Sequence, residues 1–141
     1  MLPALPIGSL FISELIGKEV ILETYHGINS SLSSIQSFNL ENVNLVLERL
    51  DIAKKIEIVN SLFEDRGNVL DKTIILALNN LHEIAEKIEK ELVEIKKDIE
   101  YTKSIYFSFF RGKPYFEKLK KLENHSHILD SRLDLFLRLV E

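Results

Sequence analysis

The chain has no cysteine, so disulfides and thiolate metal sites are excluded and a reducing compartment is the natural expectation. It has only 5 glycines and 3 prolines in 141 residues. So few breakers, beside abundant Leu, Ile, Lys and Glu, argue for an all-helical protein. There is no excess of positive charge: the net charge of -4 gives no general attraction to nucleic acid, whose binding normally needs a basic face. No apolar run reaches the roughly 20 residues that a spanning helix requires. A secretory signal is not expected either, because the start lacks a basic region and Glu14 interrupts the apolar stretch. At this length a single domain, residues 1–141, can bury a sizeable core without staples.

What the chain does have begins at its first residue. MLPALPIGSLFIS, residues 1–13, contains no charged side chain, whereas the remainder alternates apolar and charged residues at helical spacing. Chain ends usually fray into solvent, so an apolar end is either pinned into the fold or destined for a membrane or a partner. Leu2, Leu5, Ile7, Leu10, Phe11, Ile12, Leu15 and Ile16 are the candidate insertion residues. Glu14 among them would face a wet lumen if several copies assembled in a bilayer, where carboxylates are tolerated mainly against water.

Downstream, Ile74, Leu78, Leu81, Ala85, Ile88, Leu92, Ile95 and Ile99 step by four and three residues, a sustained heptad that predicts a long bundle helix capped at Asp71 or Asn68. Leu119, Leu122, Leu129, Leu133, Phe136 and Val140 predict a last helix whose seam holds one polar residue, Ser126. Leu40, Val43, Leu47 and Leu50, followed by Ile52, Ile56, Val59 and Phe63, describe a single second helix capped by Asn39. A first helix is expected from Ser9, with a break between 26 and 39 where serines weaken it. The aromatic stretch 101–116 suggests a short brace that plugs the end of the core. The expected architecture is therefore an all-α four-helix bundle with a brace helix before the last helix.

No catalytic constellation stands out, and neither an enzyme nor a cofactor is expected. His125 and His127 project about 200° apart on a helix and cannot readily share a metal. His82 and Glu83 lack the second histidine of a metalloprotease helix and read as surface residues. Arg111, Lys113, Lys118, Lys120 and Lys121 form a basic cluster in a negative chain. Such charges attract anionic lipid headgroups, each worth about 1 kcal/mol near the surface, and would add to an apolar arm the second signal that membrane binding needs.

Three stretches together resemble the HeLo and HeLo-like cell-death domains, the N-terminal domains of fungal HET-S-type proteins. These are related in architecture to the four-helix bundle of the mixed-lineage kinase-like pseudokinase. The stretches are IGSLFISELI (7–16), ERLDIAKKIEIVNSLFED (48–65), and KSIYFSFFRGKPYFEKLKKLE (103–123) with ILDSRLDLFLRL (128–139). Phe107, Phe109, Arg111, Lys113, Phe116 and Leu119 occupy places comparable to the family's aromatic segment and charged turn, with Phe107 where the family usually has tryptophan. The resemblance implies a cytoplasmic, N-terminal domain of a longer protein, held inactive until an upstream sensor or amyloid-type activator oligomerises it. It would then move to the plasma membrane and permeabilise it, with anionic lipids and its own copies as partners. The alternative from the residues is a non-lytic interaction or oligomerisation module.

Overall fold

The computed structural model describes residues 17–66, 71–104 and 115–140. They form an all-α protein of five helical segments: α1 (Lys18–Ser37), α2 (Glu41–Leu50), α3 (Ile52–Arg66), α4 (Lys72–Ser104) and α5 (Phe116–Leu139). The expected start of the first helix at Ser9, and most of the aromatic brace segment, lie outside the described residues.

The centre is α4, 33 residues and about 50 Å long. All eight residues of its predicted heptad are buried, and Ile84 joins them. Asp71 caps it, its Oδ1 accepting the Thr73 N–H at 2.9 Å. Its most extensive neighbour is α5, then α1. The α5 seam is buried as its spacing predicts at Leu119, Leu122, Ser126, Leu129 and Phe136, with Leu133 and Val140 packed partly against it.

Long side chains fix the directions. Arg132 reaches Glu83 and the Asn80 carbonyl, while Lys118 reaches Asp98, so α5 runs antiparallel to α4. Arg49 pairs with Glu123 and Lys55 with Asp130, so α2 and α3 run parallel to α5. Gly27 lies under Glu89, and Lys103 lies over the Phe38 ring at 4.9 Å, so α1 runs parallel to α4. The start of α1, the end of α3, the start of α4 and the end of α5 therefore share one end of the molecule.

Two expectations need correction. The second helix is not continuous: Asp51 adopts the left-handed conformation (φ 51°), closing α2 through its N–H to Leu47 and opening α3 through its carbonyl to Lys55. The cause is a phase slip. Leu50 and Ile52 are two residues apart, so a straight helix would turn one of them about 200° away from the core. The bend buries both. Asn39 does not cap this element either; Leu40 holds that position without a side-chain cap bond. Asn39 instead takes φ 57°, which its short polar side chain tolerates, and ends the preceding turn. The expected break between 26 and 39 falls at the end of that window: α1 continues through the serines to Ser37, with Ser31 buried, and the chain turns at Phe38 and Asn39.

Gly27 sits mid-helix, where glycine ordinarily costs about 0.5–1 kcal/mol relative to alanine. A Cβ here would overlap the Glu89 carboxylate. Burial, then Glu86 and Glu23, push the Glu89 carboxyl above its usual range, so this ion is poorly placed. It is the far end of a flexible side chain and can swing to water. Gly27→Ala should therefore stabilise the protein by about 0.5–1 kcal/mol; a lower thermal midpoint would show that the carboxylate is held rather than parked.

Candidate functional site

The described residues contain no group of three or more His, Asp or Glu placed to hold a metal ion. One cluster resembles a serine–lysine pair: Lys55 Nζ lies 3.3 Å from Ser126 Oγ. Its chemistry is structural. Ser126 is 1% exposed, and Asp130 holds the same ammonium at 2.8 Å. A buried hydroxyl beside an ion-paired ammonium has no base to activate it. Lys55 instead satisfies the polar residue in the α5 seam and ties α3 to α5. A cleft of about 400 Å³ opens at the α2–α3 bend, with Leu32, Leu47 and Ile52 in its wall and Gln36, Glu48 and Asp51 beside them. It contains no nucleophile–base pair.

His82 is a correction. It is 2% exposed, its ring meeting Phe63 edge-on at 6.2 Å, and is not a surface residue. It borders the heptad seam, where α4 meets α3. Glu83, beside it, is exposed as expected and pairs with Arg132 at 2.8 Å. Nε2 of His82 is buried without a hydrogen-bond partner, with Glu86 Oε2 at 3.6 Å. Burial lowers its pKa, opposed by the Glu86 charge and contact. His125 is lowered too, first by burial.

The folded state thus binds these protons less readily than the unfolded chain. Their penalty is absent well above pH 6.5 and grows as pH falls below that value. Stability should drop between about pH 7 and pH 5, and His82→Leu should flatten part of that slope in urea titrations. An unchanged slope would assign it to other groups.

Of the basic cluster, Arg111 and Lys113 lie outside the described residues. Lys118 is engaged within the fold, 2.8 Å from Asp98 Oδ2 and 3.5 Å from Glu94 Oε1. Hydrogen bonding to Asp98 heads the causes that raise its pKa. Lys120 and Lys121 are exposed. Lys118→Gln should therefore cost up to about 1 kcal/mol of stability, as for a partly screened ion pair. Lys120→Gln and Lys121→Gln should cost nothing measurable by thermal denaturation.

The insertion candidates Leu2, Leu5, Ile7, Leu10, Phe11, Ile12, Leu15 and Ile16, with Glu14, also lie outside the described residues. What is described is where they join the bundle, at Gly17, on the end shared by the start of α4 and the end of α5. Of the exposed large apolar side chains among the described residues, Val20, Leu22, Leu76, Leu135, Leu137 and Leu139 lie toward this end, and Leu45, Ile58, Tyr101, Phe116 and Ile128 lie elsewhere. Leu76 is 60% and Leu135 57% exposed. The sequence reading missed this surface, although LDLFLRLV (133–140) is too apolar for one buried stripe. Among the described residues no helix is long and apolar enough to cross a membrane. Of the aromatic segment, Tyr115 is buried, while Tyr101 and Phe116 are exposed.

No protein-family model and no solved structure matches the chain. It is similar to the uncharacterized protein L717 of Acanthamoeba polyphaga mimivirus, with 25% identity over 139 residues, covering 78% of this chain and 68% of that protein. A likeness of this degree assigns the chain to no family.

Proposed function

We propose that this chain is a membrane-targeting, membrane-permeabilising cell-death execution domain of the HeLo-like kind. In this reading it is a cytoplasmic four-helix bundle, with α2 and α3 as one bent helix and a brace before α5. An upstream sensor or amyloid-type activator oligomerises it and it moves to the plasma membrane. Residues 2–16 insert, Glu14 faces the lumen, and the chain performs no catalysis. The observation that supports it best is the coincidence of two apolar features. A leader without charge over residues 1–13 joins the bundle at Gly17, on the end where Leu76, Leu135, Leu137 and Leu139 are exposed. Arg111, Lys113, Lys120 and Lys121 draw the protein toward anionic headgroups during approach, a long-range effect on encounter. Lys118 contributes less, being neutralised by Asp98.

The transition from water to membrane requires the two states to differ in lipid affinity by several kcal/mol. The leader is the element able to supply that difference. Deleting residues 2–12 should abolish leakage from anionic liposomes and leave the circular-dichroism helix content unchanged. Undiminished leakage from the truncated chain refutes the insertion role.

A non-lytic oligomerisation module is the alternative. It is favoured by one observation: Lys118, Lys120 and Lys121 lie near the start of α5, far from the end where the leader joins. A module of that kind self-associates and leaves liposomes sealed.

A further inference from the structure

We propose that α3 opens from the bundle as a unit of its own and that each opening takes up a proton at His82, so that acid favours its release. His82 is then the residue through which the fold senses acid at the joint between α3 and α4. The inference is independent of any action on membranes.

The ring has no way to hold a charge where it sits. It is 2% exposed and meets Phe63 of α3 edge-on, and Phe63 is itself buried. Its Nε2 is enclosed without a hydrogen-bond partner. A neutral imidazole can leave one nitrogen bare, whereas a protonated one donates from both. An unpaired buried cation is far costlier than an unpaired neutral acceptor. Glu86 Oε2 lies 3.6 Å away, too long for a hydrogen bond, and its side chain is 56% exposed. Keeping the proton therefore means drawing a solvated carboxylate inward or letting the ring out.

Other charges do not relieve it. On α4, Glu83 is held by Arg132 at 2.8 Å. On α3, Glu64 and Asp65 follow Phe63 and are exposed, and Glu64 accepts from Asn60. On α1, Lys18, Glu19 and Glu23 are exposed, and Glu23 acts on Glu89, two turns along α4 from His82. Glu86 is the charge that acts on the ring, and burial outweighs it.

The way out is through α3. The contact of α4 with α3 is smaller than its contact with α5 or with α1. Helices α2 and α3 are tied to α5 by polar, partly exposed links: Arg49 to Glu123, and Lys55 to Asp130 and Ser126. Ile52, Ile56, Val59 and Phe63 keep α3 closed at neutral pH, because opening returns them to water. Helices joined by the fewest buried contacts open below the energy of global unfolding. Opening α3 lifts Phe63 off His82 and gives the ring back to solvent, where it binds a proton in the ordinary way.

Hydrogen exchange on the whole chain, resolved by residue and corrected for the intrinsic effect of pH, tests this at pH 7.5 and pH 5.5. At both values the α3 amides should be less protected than those of the α4 seam. Between them α3 should lose about tenfold in protection, the most that one group of ordinary pKa 6.5 can drive over that interval. His82→Gln should abolish that loss in α3. It should leave α5 with the acid response of His125, whose Nδ1 is buried unpaired and which feels Glu91 and Lys87 of α4. Because replacing a buried ring can itself unfold a bundle, His82 is also titrated in wild type by NMR, where it should stay neutral well below pH 6.5. An α3 that matches α4 and α5 amide for amide opens only with the whole molecule and overturns the proposal. So does a loss that persists in His82→Gln, or a ring that charges at its ordinary pKa while α3 stays protected.

Discussion

The apolar seam of α4 is the constraint from which the rest of the structure follows. It runs from Ile74 to Ile99 without a polar interruption, so a helix of about 50 Å must be covered along most of its length. Among the described residues no other helix is as long: α5 has 24 residues and α1 has 20. The seam is therefore covered by several elements, and each must bring its own stripe into register. That demand explains the bend at Asp51. With Leu50 and Ile52 out of helical phase, a straight second helix would leave part of the α4 seam uncovered. Placing one non-glycine residue in the left-handed region costs about 1–2 kcal/mol, less for aspartate. Burying a further leucine or isoleucine is worth a comparable or larger amount.

Charges serve a different end. The inter-helix ion pairs lie at the margins: Arg132 with Glu83, Lys118 with Asp98 and Glu94, Lys55 with Asp130, and Arg49 with Glu123. As partly exposed pairs each adds little stability. Their contribution is direction, because they pair the helices in one sense and would be broken by a helix running the opposite way. Lys55 has a second task, as partner to the hydroxyl in the α5 seam. Ser126 is thus tolerated in the core because a neighbouring helix sends it a hydrogen-bonding group.

Reading the sequence alone went furthest where the period was long and clean. The α4 heptad and the α5 seam were legible residue by residue, as was the Asp71 cap, because each is a local pattern with a local physical cause. The bend was legible too, in the two-residue step from Leu50 to Ile52, but a broad apolar face conceals a phase slip of that size. His82 was misread for a related reason. It borders the seam, and whether a border position is buried depends on how closely the next helix approaches, here α3 through Phe63. Nothing within α4 encodes that distance. The pairing of Lys118 with Asp98 is a contact between helices and was equally out of reach. Without it, five basic residues looked equivalent.

The same limit separates the two halves of the candidate site. Composition exposed the apolar leader and the basic cluster, but whether the fold brings them together is not written in a one-dimensional string. The antiparallel α4–α5 pair puts Lys118, Lys120 and Lys121 toward the opposite end of the described bundle from Gly17, where the leader joins. The end that includes Gly17 also holds the close of α5, where LDLFLRLV carries more apolar side chains than one buried stripe can take. A bundle helix that was only structural would gain solubility by replacing Leu135, Leu137 or Leu139 with polar residues, and would lose no core packing.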